Sequence, residues 1–319
     1  MRPIIIGAGR GSRLNALTDG QPKCYVPIGG RRILDWMLEA LAAAGLETPV
    51  FVGGYRIEQI QADYPHLTYC HNADWQHNNI LASLFCAEEY MADGFVCSYA
   101  DILYRPTVVR RALEHEGDIA LCVDTDWRTR YVDRSQHPED DAEKIVAEGD
   151  RVVEINRAIP APAAGGEYIG VARVGAAGAR SLRAHYQRVK AKYAGQNWKD
   201  GKPFEKAYLI HLFEEMLDAG LALHMVTTDG EYMEIDTEED VALANARWSD
   251  GGYYANASIL RDALSGGRGR LVAATGFRAR GGDGRAANGR CTAGAGAGRG
   301  RGLCGGVAGG GGVGRDHRW

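Results

Sequence analysis

Short apolar runs alternate with helical patterns over the first 250 residues of the chain. From Ile33 to Ala44 the apolar positions recur every three or four residues, and Gly45 is a typical helix stop. From Phe95 to Tyr99 the apolar residues are nearly contiguous, which is typical of a buried strand. The same patterns predict further strands at 3–6, 49–52, 67–70, 119–123, 151–155, 168–174, 222–227 and 232–236, and further helices at 57–63, 79–91, 106–115, 177–191 and 204–219, with a short closing helix after residue 236.

The order of these elements predicts the fold class. Strands that alternate with helices indicate βαβ units, in which helices cover both faces of a parallel sheet. We therefore expect an α/β fold with three layers, α/β/α, around a mixed, mostly parallel sheet. About 250 residues is enough chain to build one such domain with a sizeable core.

The composition changes abruptly near the end of the chain. Residues 265–319 hold 20 of the 43 glycines, ten arginines, two acidic residues and no lysine, so they carry +8. The whole chain carries −4, which leaves −12 for residues 1–264. A segment without a periodic apolar face cannot bury enough surface to offset its ordering entropy. We therefore predict a catalytic domain over residues 1–250 and a disordered Gly/Arg-rich tail over residues 251–319.

Two further interpretations of this tail exist. Arg-Gly segments can bind nucleic acid through phosphates, but here lysine is absent and no aromatic residues are interleaved with the arginines. The composition is also typical of GC-rich DNA translated out of frame or past its proper stop. We therefore expect no nucleic-acid partner.

Other features of the sequence bear on where in the cell the protein is located. No run approaches the roughly 18 apolar residues of a membrane span, and the run at 4–6 is shorter than the about 7–15 residues of a signal-peptide core. These features predict a soluble cytoplasmic protein with no membrane partner. The seven cysteines form no Cys-x-x-Cys pair, so neither a disulfide framework nor a zinc site is expected.

A glycine-rich loop follows the first predicted strand, with the sequence Gly7-Ala8-Gly9-Arg10-Gly11-Ser12-Arg13. Three glycines in five residues let the backbone approach a ligand and direct several N–H groups at one anion. A dinucleotide fingerprint would need a third glycine where Ser12 stands, and a Walker loop would need Gly-Lys-Ser/Thr. Arg13 and Lys23 add two cations, so we predict a triphosphate cradle in which Lys23 reaches the reacting phosphate.

The residues from Gly7 to Lys23, followed by Val26-Pro27-Ile28-Gly29-Gly30-Arg31, resemble the opening signature of the nucleotidyltransferase superfamily that makes nucleoside-diphosphate sugars and alcohols. The resemblance covers about residues 1–248 and implies the Rossmann-like fold of nucleotide-diphospho-sugar transferases. Ala16 and Gly7 stand where proline and alanine are commoner in that family. Neither departure removes a phosphate ligand.

Carboxylates lie at the ends of two predicted strands. Asp101 follows the strand at 95–99, at the end where open α/β sheets place ligands. Glu234 and Asp236 are two positions apart on a strand and therefore point to the same face. Taken singly, Asp101 also suits a turn and Asp236 a helix N-cap. In the resembling family these positions bind Mg²⁺, which takes oxygen ligands from a few carboxylates and from substrate phosphates.

One branch of the superfamily matches further residues. His77-Asn78-Asn79-Ile80 followed by Ser83-Leu84 resembles the phosphocholine cytidylyltransferases, in which an Asn-rich turn opens the helix beside the nucleotide. Lys206-Ala207-Tyr208 recurs in the same branch. The resemblance therefore implies that Asn79 and Ser83 bind the nucleotide and that Lys206 belongs to the acceptor side.

Aromatic and acidic residues collect in the segments expected near the acceptor. Aromatic faces beside an acid hold an amine or quaternary ammonium head group well, and the −12 charge of residues 1–264 fits a cationic head group. Each aromatic residue by itself also suits a core or rim position. The candidate acceptor-binding residues are Tyr99, Trp127, Tyr131, Glu167, Tyr168 and Lys206.

Together these residues predict a Mg²⁺-dependent enzyme that transfers CMP from CTP to a small phosphorylated alcohol or phosphonate, of the phosphocholine or 2-aminoethylphosphonate type. Lys23 would stabilise the α-phosphate, while Arg13 and the amides of Gly9–Ser12 would hold the departing pyrophosphate. The nearest alternative is a sugar-1-phosphate nucleotidyltransferase that uses dTTP, UTP or GTP. Two others are a regulatory nucleotide-binding module without catalysis and a nucleic-acid binder that acts through the tail.

Overall fold

The computed structural model describes residues 1–132 and 134–248. The predicted tail from residue 251, and with it the predicted domain boundary, lies outside the described residues. The strands are β1 (Arg2–Gly7), β2 (Pro27–Ile28), β3 (Arg31–Arg32), β4 (Val50–Gly53), β5 (Thr68–His71), β6 (Phe95–Tyr99), β7 (Ile102–Tyr104), β8 (Ile119–Asp124), β9 (Lys144–Glu148), β10 (Arg151–Asn156), β11 (Gly166–Val174), β12 (His224–Thr228) and β13 (Tyr232–Glu234). The α-helices are α1 (Ile33–Ala43), α2 (Ile57–Asp63), α3 (Ile80–Phe85), α4 (Pro106–Glu114), α5 (Trp127–Tyr131), α6 (Ala176–Tyr193), α7 (Leu209–Asp218) and α8 (Glu238–Arg247).

Nine of these strands form one sheet in the order β5-β4-β1-β6-β11-β8-β12-β10-β9. The pairs β5–β4, β4–β1, β1–β6 and β8–β12 are parallel. Strand β11 runs antiparallel to β6, β8 and β9, and β10 runs antiparallel to β12 and β9. Seven strands therefore share one direction, and the predicted mixed, mostly parallel sheet is confirmed.

Helices cover both faces of this sheet. Along β1, Ile4 and Ile6 pack with α3, α6 and α7 on one face, whereas Ile5 packs with α1, α2, α4 and α8 on the other. This alternation follows from the two-residue period of a strand. Both faces are apolar because both are covered, which confirms the predicted three layers.

Most predicted elements occur within one or two residues of their expected bounds, and two helices are shorter than predicted. The helix expected at 79–91 ends at Phe85, where the N–H groups of Cys86 and Ala87 bond three residues back and tighten the last turn. The helix expected at 204–219 begins only at Leu209, because a 3-10 turn at Phe204–Lys206 follows Pro203. Strands β2, β3, β7 and β9 were not predicted, since they are short or carry charged residues.

The parallel direction brings the carboxyl ends of β1, β4, β6, β8 and β12 to one edge of the sheet. At this edge the glycine loop follows β1 and Asp101 follows β6. In open α/β sheets this edge carries the ligand site. Among the described residues, no helix combines the length and the apolarity that crossing a membrane requires.

Candidate active site

The glycine loop leads from β1 into a 3-10 turn at Ser12–Thr18. Gly11 has a φ of +71°, a conformation that side-chain-bearing residues rarely adopt. A methyl group at Gly11 would lie 2.7 Å from Cδ of Lys23, so the apolar stem of Lys23 lies directly on the loop. Gly11 therefore serves two purposes, because it permits the turn and leaves room for Lys23.

The other two glycines differ from each other. A methyl group at Gly7 would lie 2.6 Å from Cζ of Phe51 and 2.8 Å from Cβ of Ala100, so Gly7 is required for packing at the sheet edge. A methyl group at Gly9 would meet no described atom within 4 Å. Gly9 therefore faces open space, where a phosphate can approach its backbone. The phosphate contact predicted for Gly7 stays a prediction, and packing alone accounts for glycine there.

We expect replacement of Gly11 by alanine to damage both the loop and the position of Lys23. The unfavourable φ should lower the free energy of unfolding by about 1–3 kcal/mol. Displacement of Lys23 by the new methyl group should lower kcat by roughly 10²-fold, the cost of a misplacement of about 1 Å. Urea unfolding and steady-state kinetics measure the two effects. Gly9→Ala is the matched control for stability and should have the same free energy of unfolding as the wild type. If Gly9→Ala lowered the free energy of unfolding as much as Gly11→Ala, the steric argument would be wrong.

Lys23 connects the loop to the predicted metal carboxylates. Its Nζ donates a hydrogen bond to Oδ2 of Asp101 at 2.7 Å and a second one to Oδ1 of Asp236. Arg13 donates from Nη2 to Oδ2 of Asp236 at 2.8 Å. The carboxylates of Asp101 and Asp236 lie close together because β13 pairs with β7. Just beyond this pairing, the N–H of Ile235 donates to the carbonyl of Asp101 at 2.9 Å. The structure thus brings together Lys23, Arg13, Asp101 and Asp236, and their roles towards phosphate and metal stay predictions.

These charges shift one another's protonation. Burial opposes the charged form of Lys23, but the carboxylates of Asp101 and Asp236 raise its pKa above the ordinary lysine value. Burial likewise opposes the charged form of Asp236, yet Lys23 and Arg13 hold its pKa well below the usual range. Burial and the neighbouring charge of Asp236 raise the pKa of Glu234. Burial and the charge of Asp236 therefore favour the protonated form of Glu234, whereas Lys23 and Arg13 keep Asp236 ionised.

A loop between α5 and β9 adds residues that the sequence analysis missed. Arg134 is a buried side chain whose Nε donates to Oδ1 of Asp240 at 2.7 Å. Asp141 lies 3.6 Å from Nη1 of Arg13. The ring of His137 is buried beside Glu234 and Asp236. Burial and the cation of Arg134 lower the pKa of His137 to about 4, so this imidazole is neutral at pH 7. No periodicity marks the loop, but its charge density and the single His-Pro pair are signals that could have drawn attention to it.

The acidic cluster fits a divalent cation. Oδ1 of Asp101 is buried and has no hydrogen-bond partner among the described residues. A buried carboxylate oxygen without a partner is costly, and a metal ion would satisfy it. His137, Glu234 and Asp236 each offer a ligand atom, and these three atoms lie within 4.8 Å of one another. Glu234 and Asp236 therefore lie where both could hold a metal. The metal contacts of Asp101, Glu234 and Asp236 stay predictions.

The predicted nucleotide-binding residues at α3 have structural partners. Oδ1 of Asn79 accepts from the N–H of Ile80 at 2.9 Å and so caps the helix, while its Nδ2 donates to the carbonyl of Lys206. Ser83 is buried, and its hydroxyl accepts from Nδ2 of Asn72. Asn72 also exchanges two amide hydrogen bonds with Asn78. Asn79 and Ser83 thus shape the Asn-rich turn, and their nucleotide contacts stay predictions.

Two half-buried aromatic residues, Tyr55 and Trp75, lie beside the glycine loop. The N–H of Tyr55 donates to the carbonyl of Ala8 at 2.9 Å, and the Tyr55 and Trp75 rings meet edge to face at 5.5 Å. Arg10 lies over the Tyr55 ring, with Cζ 5.7 Å from its centre. This half-buried aromatic pair gives the loop a flat apolar neighbour.

The predicted acceptor residues divide into two groups. Trp127 and Tyr168 are each 2% exposed, so their ring faces are covered in this structure. Tyr131 donates its hydroxyl to Oε1 of buried Glu167 at 2.8 Å. Only Tyr99 and Lys206 present part of their surface. An acceptor role for Trp127, Tyr131, Glu167 and Tyr168 stays a prediction, because each is engaged in packing or in a buried hydrogen bond.

A further ion pair, between buried Glu143 and half-buried Arg157, lies beside Tyr99. Tyr99 donates its hydroxyl to Oε2 of Glu143 at 3.3 Å, and Arg157 donates from Nη2 to Oε1 of Glu143 at 3.0 Å. The guanidinium of Arg157 lies 4.0 Å from the centre of the Tyr208 ring. Burial raises the pKa of Glu143 despite the neighbouring Arg157. Sequence reasoning missed both charged residues, because nothing in their spacing marks them.

Comparisons with known proteins bear on this site. Residues 3–197 match the model of the MobA-like NTP transferase domain. The chain is 28% identical over 253 residues to CTP:phosphoglutamine cytidylyltransferase of Campylobacter jejuni, across 76% of this chain and 98% of that protein. Among solved structures, it resembles inositol-1-phosphate CTP transferase of T. maritima (TM-score 0.59, 22% identity, 79% of this chain and 97% of that one). It also resembles CTP:phosphocholine cytidylyltransferase of Streptococcus pneumoniae (TM-score 0.59, 20% identity, 77% and 97%). At these identities, the two structures show a shared fold.

Proposed function

The chain belongs to the MobA-like NTP transferase domain family and is a nucleotidyltransferase, and from this premise we propose that it transfers CMP from CTP to a small phosphorylated acceptor. The observation that carries the proposal is the position of Lys23, which lies on Gly11 of the phosphate loop and binds both Asp101 and Asp236. A lysine between a phosphate loop and two carboxylates suits a reaction in which phosphate charge is neutralised. The name of the Campylobacter relative, CTP:phosphoglutamine cytidylyltransferase, gives CTP as its nucleotide and supports this choice.

The proposed reaction is an in-line displacement. A phosphate or phosphonate oxygen of the acceptor attacks the α-phosphorus of CTP and forms a new P–O bond. The bond from the α-phosphorus to the bridging oxygen breaks, and pyrophosphate leaves with the electron pair. Because the attacking oxygen is already an anion, no general base is required. The protein contributes positioning and charge neutralisation.

Each residue of the cluster has a role in this proposal. The ammonium group of Lys23 moves from the carboxylates to the α-phosphate once substrate is bound. Arg13 and the backbone N–H groups of Gly9–Ser12 hold the pyrophosphate. Asp101, Asp236 and Glu234 hold a divalent cation, which we propose to be Mg²⁺. When bound, such an ion neutralises the charge on the phosphate oxygens.

We propose an acceptor with an amine head group, of the phosphocholine or 2-aminoethylphosphonate type. The buried carboxylate of Glu143 lies against the half-buried ring of Tyr99, and buried Glu167 lies at the same edge of the sheet, beside the end of β8. A carboxylate beside an aromatic face attracts a cation. The charge of −12 before residue 265 favours the same class of acceptor.

A screen for pyrophosphate release tests this function. Purified protein is assayed with CTP, UTP, dTTP and GTP, each combined with phosphocholine, 2-aminoethylphosphonate, phosphoglutamine and glucose 1-phosphate. We expect release with CTP and an amine-bearing acceptor, and mass spectrometry should identify the CMP adduct. Release only with glucose 1-phosphate would replace the proposal by the sugar-nucleotide alternative. CTP binding without release for any acceptor, in the presence of Mg²⁺ or Mn²⁺, would favour a non-catalytic module.

A further inference from the structure

We infer that His137 is a nitrogen ligand of the metal held by Glu234 and Asp236, and that it makes the site prefer Mn²⁺ and Co²⁺ over Mg²⁺ more strongly than carboxylates alone would. The inference rests on the proposed metal-dependent reaction and adds a ligand to it. Magnesium prefers oxygen ligands, whereas imidazole suits the first-row transition metals. A buried imidazole at the site therefore bears on which ion the protein selects.

The distances place one ring nitrogen against both carboxylates. Nδ1 of His137 lies 3.6 Å from Oδ2 of Asp236 and 3.7 Å from Oε2 of Glu234. When two ligand atoms each lie about 2.1 Å from one ion, they are separated by roughly 3.0 Å in octahedral geometry and roughly 3.4 Å in tetrahedral geometry. A contraction of a few tenths of an ångström would bring Nδ1 to such a separation from each of the two carboxylate oxygens.

The hydrogen bonds give His137 the tautomer that a ligand needs. Arg134 approaches Nδ1 with a guanidinium N–H, so Nδ1 accepts and carries no proton. The proton of the neutral ring is then on Nε2, which lies 3.9 Å from Oδ2 of Asp141. A metal-binding histidine usually directs its second N–H towards a carboxylate or carbonyl, which orients the ring. In His137, Nδ1 faces the acidic pair and Nε2 faces Asp141, at a distance longer than a hydrogen bond.

Cations of the protein occupy the ligand atoms in the described structure. Lys23 and Arg13 bind Asp236, while Arg134 contacts His137 and lies 3.9 Å from Glu234. An arriving dication would take over the interaction of Arg13 with Oδ2 of Asp236 and that of Arg134 with Nδ1 of His137. Arg134 would keep its bond to Asp240, so its charge would remain paired. The protein thus holds the ligands near one another before the ion arrives.

A second group of possible ligands provides a contrast. His115 and His224 flank Asp150, with Nε2 of His115 at 3.2 Å and Nδ1 of His224 at 3.4 Å from Oδ2. Nδ1 of His115 accepts from the N–H of Gly117 at 2.9 Å, so Nε2 keeps the proton. The nitrogen of His115 that faces Asp150 is therefore a donor and not a ready ligand. This group lies at the start of β12, at the opposite edge of the sheet, and must be removed before binding at His137 is measured.

The test is pulsed electron paramagnetic resonance of bound Mn²⁺. The protein is the full chain without a histidine tag, with His115→Gln and His224→Gln introduced as background, and CTP is present without acceptor. We expect nitrogen modulation of the Mn²⁺ signal, and labelling of histidine alone with ¹⁵N should change its frequencies. The signal should disappear in His137→Gln and persist in His66→Gln, which replaces an exposed histidine away from the cluster.

Titration calorimetry gives the second readout. In His137→Gln, the affinity for Mn²⁺ should fall about tenfold or more, while the affinity for Mg²⁺ should change less, so the Mn²⁺/Mg²⁺ ratio falls. The inference is overturned if wild-type protein binds Mn²⁺ at a site that requires Asp236 and the resonance signal of this Mn²⁺ shows no modulation from histidine nitrogen. The spectrum of the wild type does not depend on whether the His137 variant folds. If Asp236→Asn leaves all Mn²⁺ binding unchanged, the proposed metal site itself is wrong, whatever the screen for pyrophosphate release shows.

Discussion

Replacing Lys23 by methionine should lower kcat by at least about 10²–10³-fold and leave the protein folded. The expected magnitude is that of removing one group that stabilises charge in a transition state. Methionine keeps an apolar stem that can lie on Gly11, so the loop should survive the change. The lost group is the cation that the proposal places on the α-phosphate. Steady-state kinetics with CTP and the acceptor found in the screen measure the effect, and circular dichroism checks the fold.

Lys199 offers a matched control for this variant. Its ammonium group also binds two carboxylates, those of Glu214 at 3.2 Å and Asp218 at 3.0 Å, outside the cluster around Asp236. Lys199→Met removes an ion-paired lysine of similar exposure, and kcat should stay within about twofold of the wild type, since it has no part in the proposed charge stabilisation. Turnover at the wild-type level in Lys23→Met would remove Lys23 from the mechanism. An equal loss in both variants would point to a general effect of charge.

Asp240→Ala should have the largest effect on stability, a loss of about 3–5 kcal/mol in the free energy of unfolding, the cost of breaking a buried ion pair. Asp240 is fully buried. Its Oδ2 accepts from the N–H groups of Asp236 and Thr237 at 2.9 and 2.8 Å, and Oδ1 accepts from Arg134. The alanine variant would leave a buried guanidinium and two N–H groups without these partners. Urea denaturation of the full chain measures the change.

The neighbouring Glu238 provides the comparison for Asp240. Glu238 is exposed and stands in the same first turn of α8. Glu238→Ala should change the free energy of unfolding by less than about 0.5 kcal/mol, as is usual for exposed positions. A loss below about 1 kcal/mol in Asp240→Ala would mean that water replaces the missing carboxylate, against the burial described above.

Much of the fold could be predicted from local patterns. The strand predicted from Phe95 to Tyr99 is β6, with the same bounds, because a short apolar run between polar residues is typical of a buried strand. The pairing order could not be predicted, since β11 inserts between β6 and β8 through contacts distant in sequence. Strand β9 was not predicted, because it begins with Lys144 and a lysine in a sequence usually indicates an exposed position. In the structure Lys144 is buried, and its Nζ donates to the carbonyl of Arg157 at 2.7 Å, a partner that is distant in sequence.

The candidate site was predictable where chemistry follows a local motif. Gly11, Lys23 and Asp236 belong to such motifs, and the structure brings them together. His137 and Glu143 were not predictable, because each becomes significant only through partners at distant positions. Gly7 shows a second limit, because the motif predicts a phosphate contact that stays a prediction, while close packing against Phe51 by itself requires glycine there. A motif identifies which residues matter more reliably than it identifies what each one does.

The bond between Lys23 and Asp236 joins positions 213 residues apart, and Arg13 reaches the same carboxylate across 223 positions. At synthesis rates of about 5–20 residues per second, Lys23 leaves the ribosome roughly 10–40 s before its partner. Until then Asp101 is the carboxylate available to it in this cluster, and the strand that carries Glu234 does not yet exist. A nascent chain can therefore bury most of its sheet while the proposed metal site is still incomplete. On the proposed mechanism, catalysis begins only after Asp236 has been synthesised, so a chain interrupted before this residue would be inactive even where its sheet has formed.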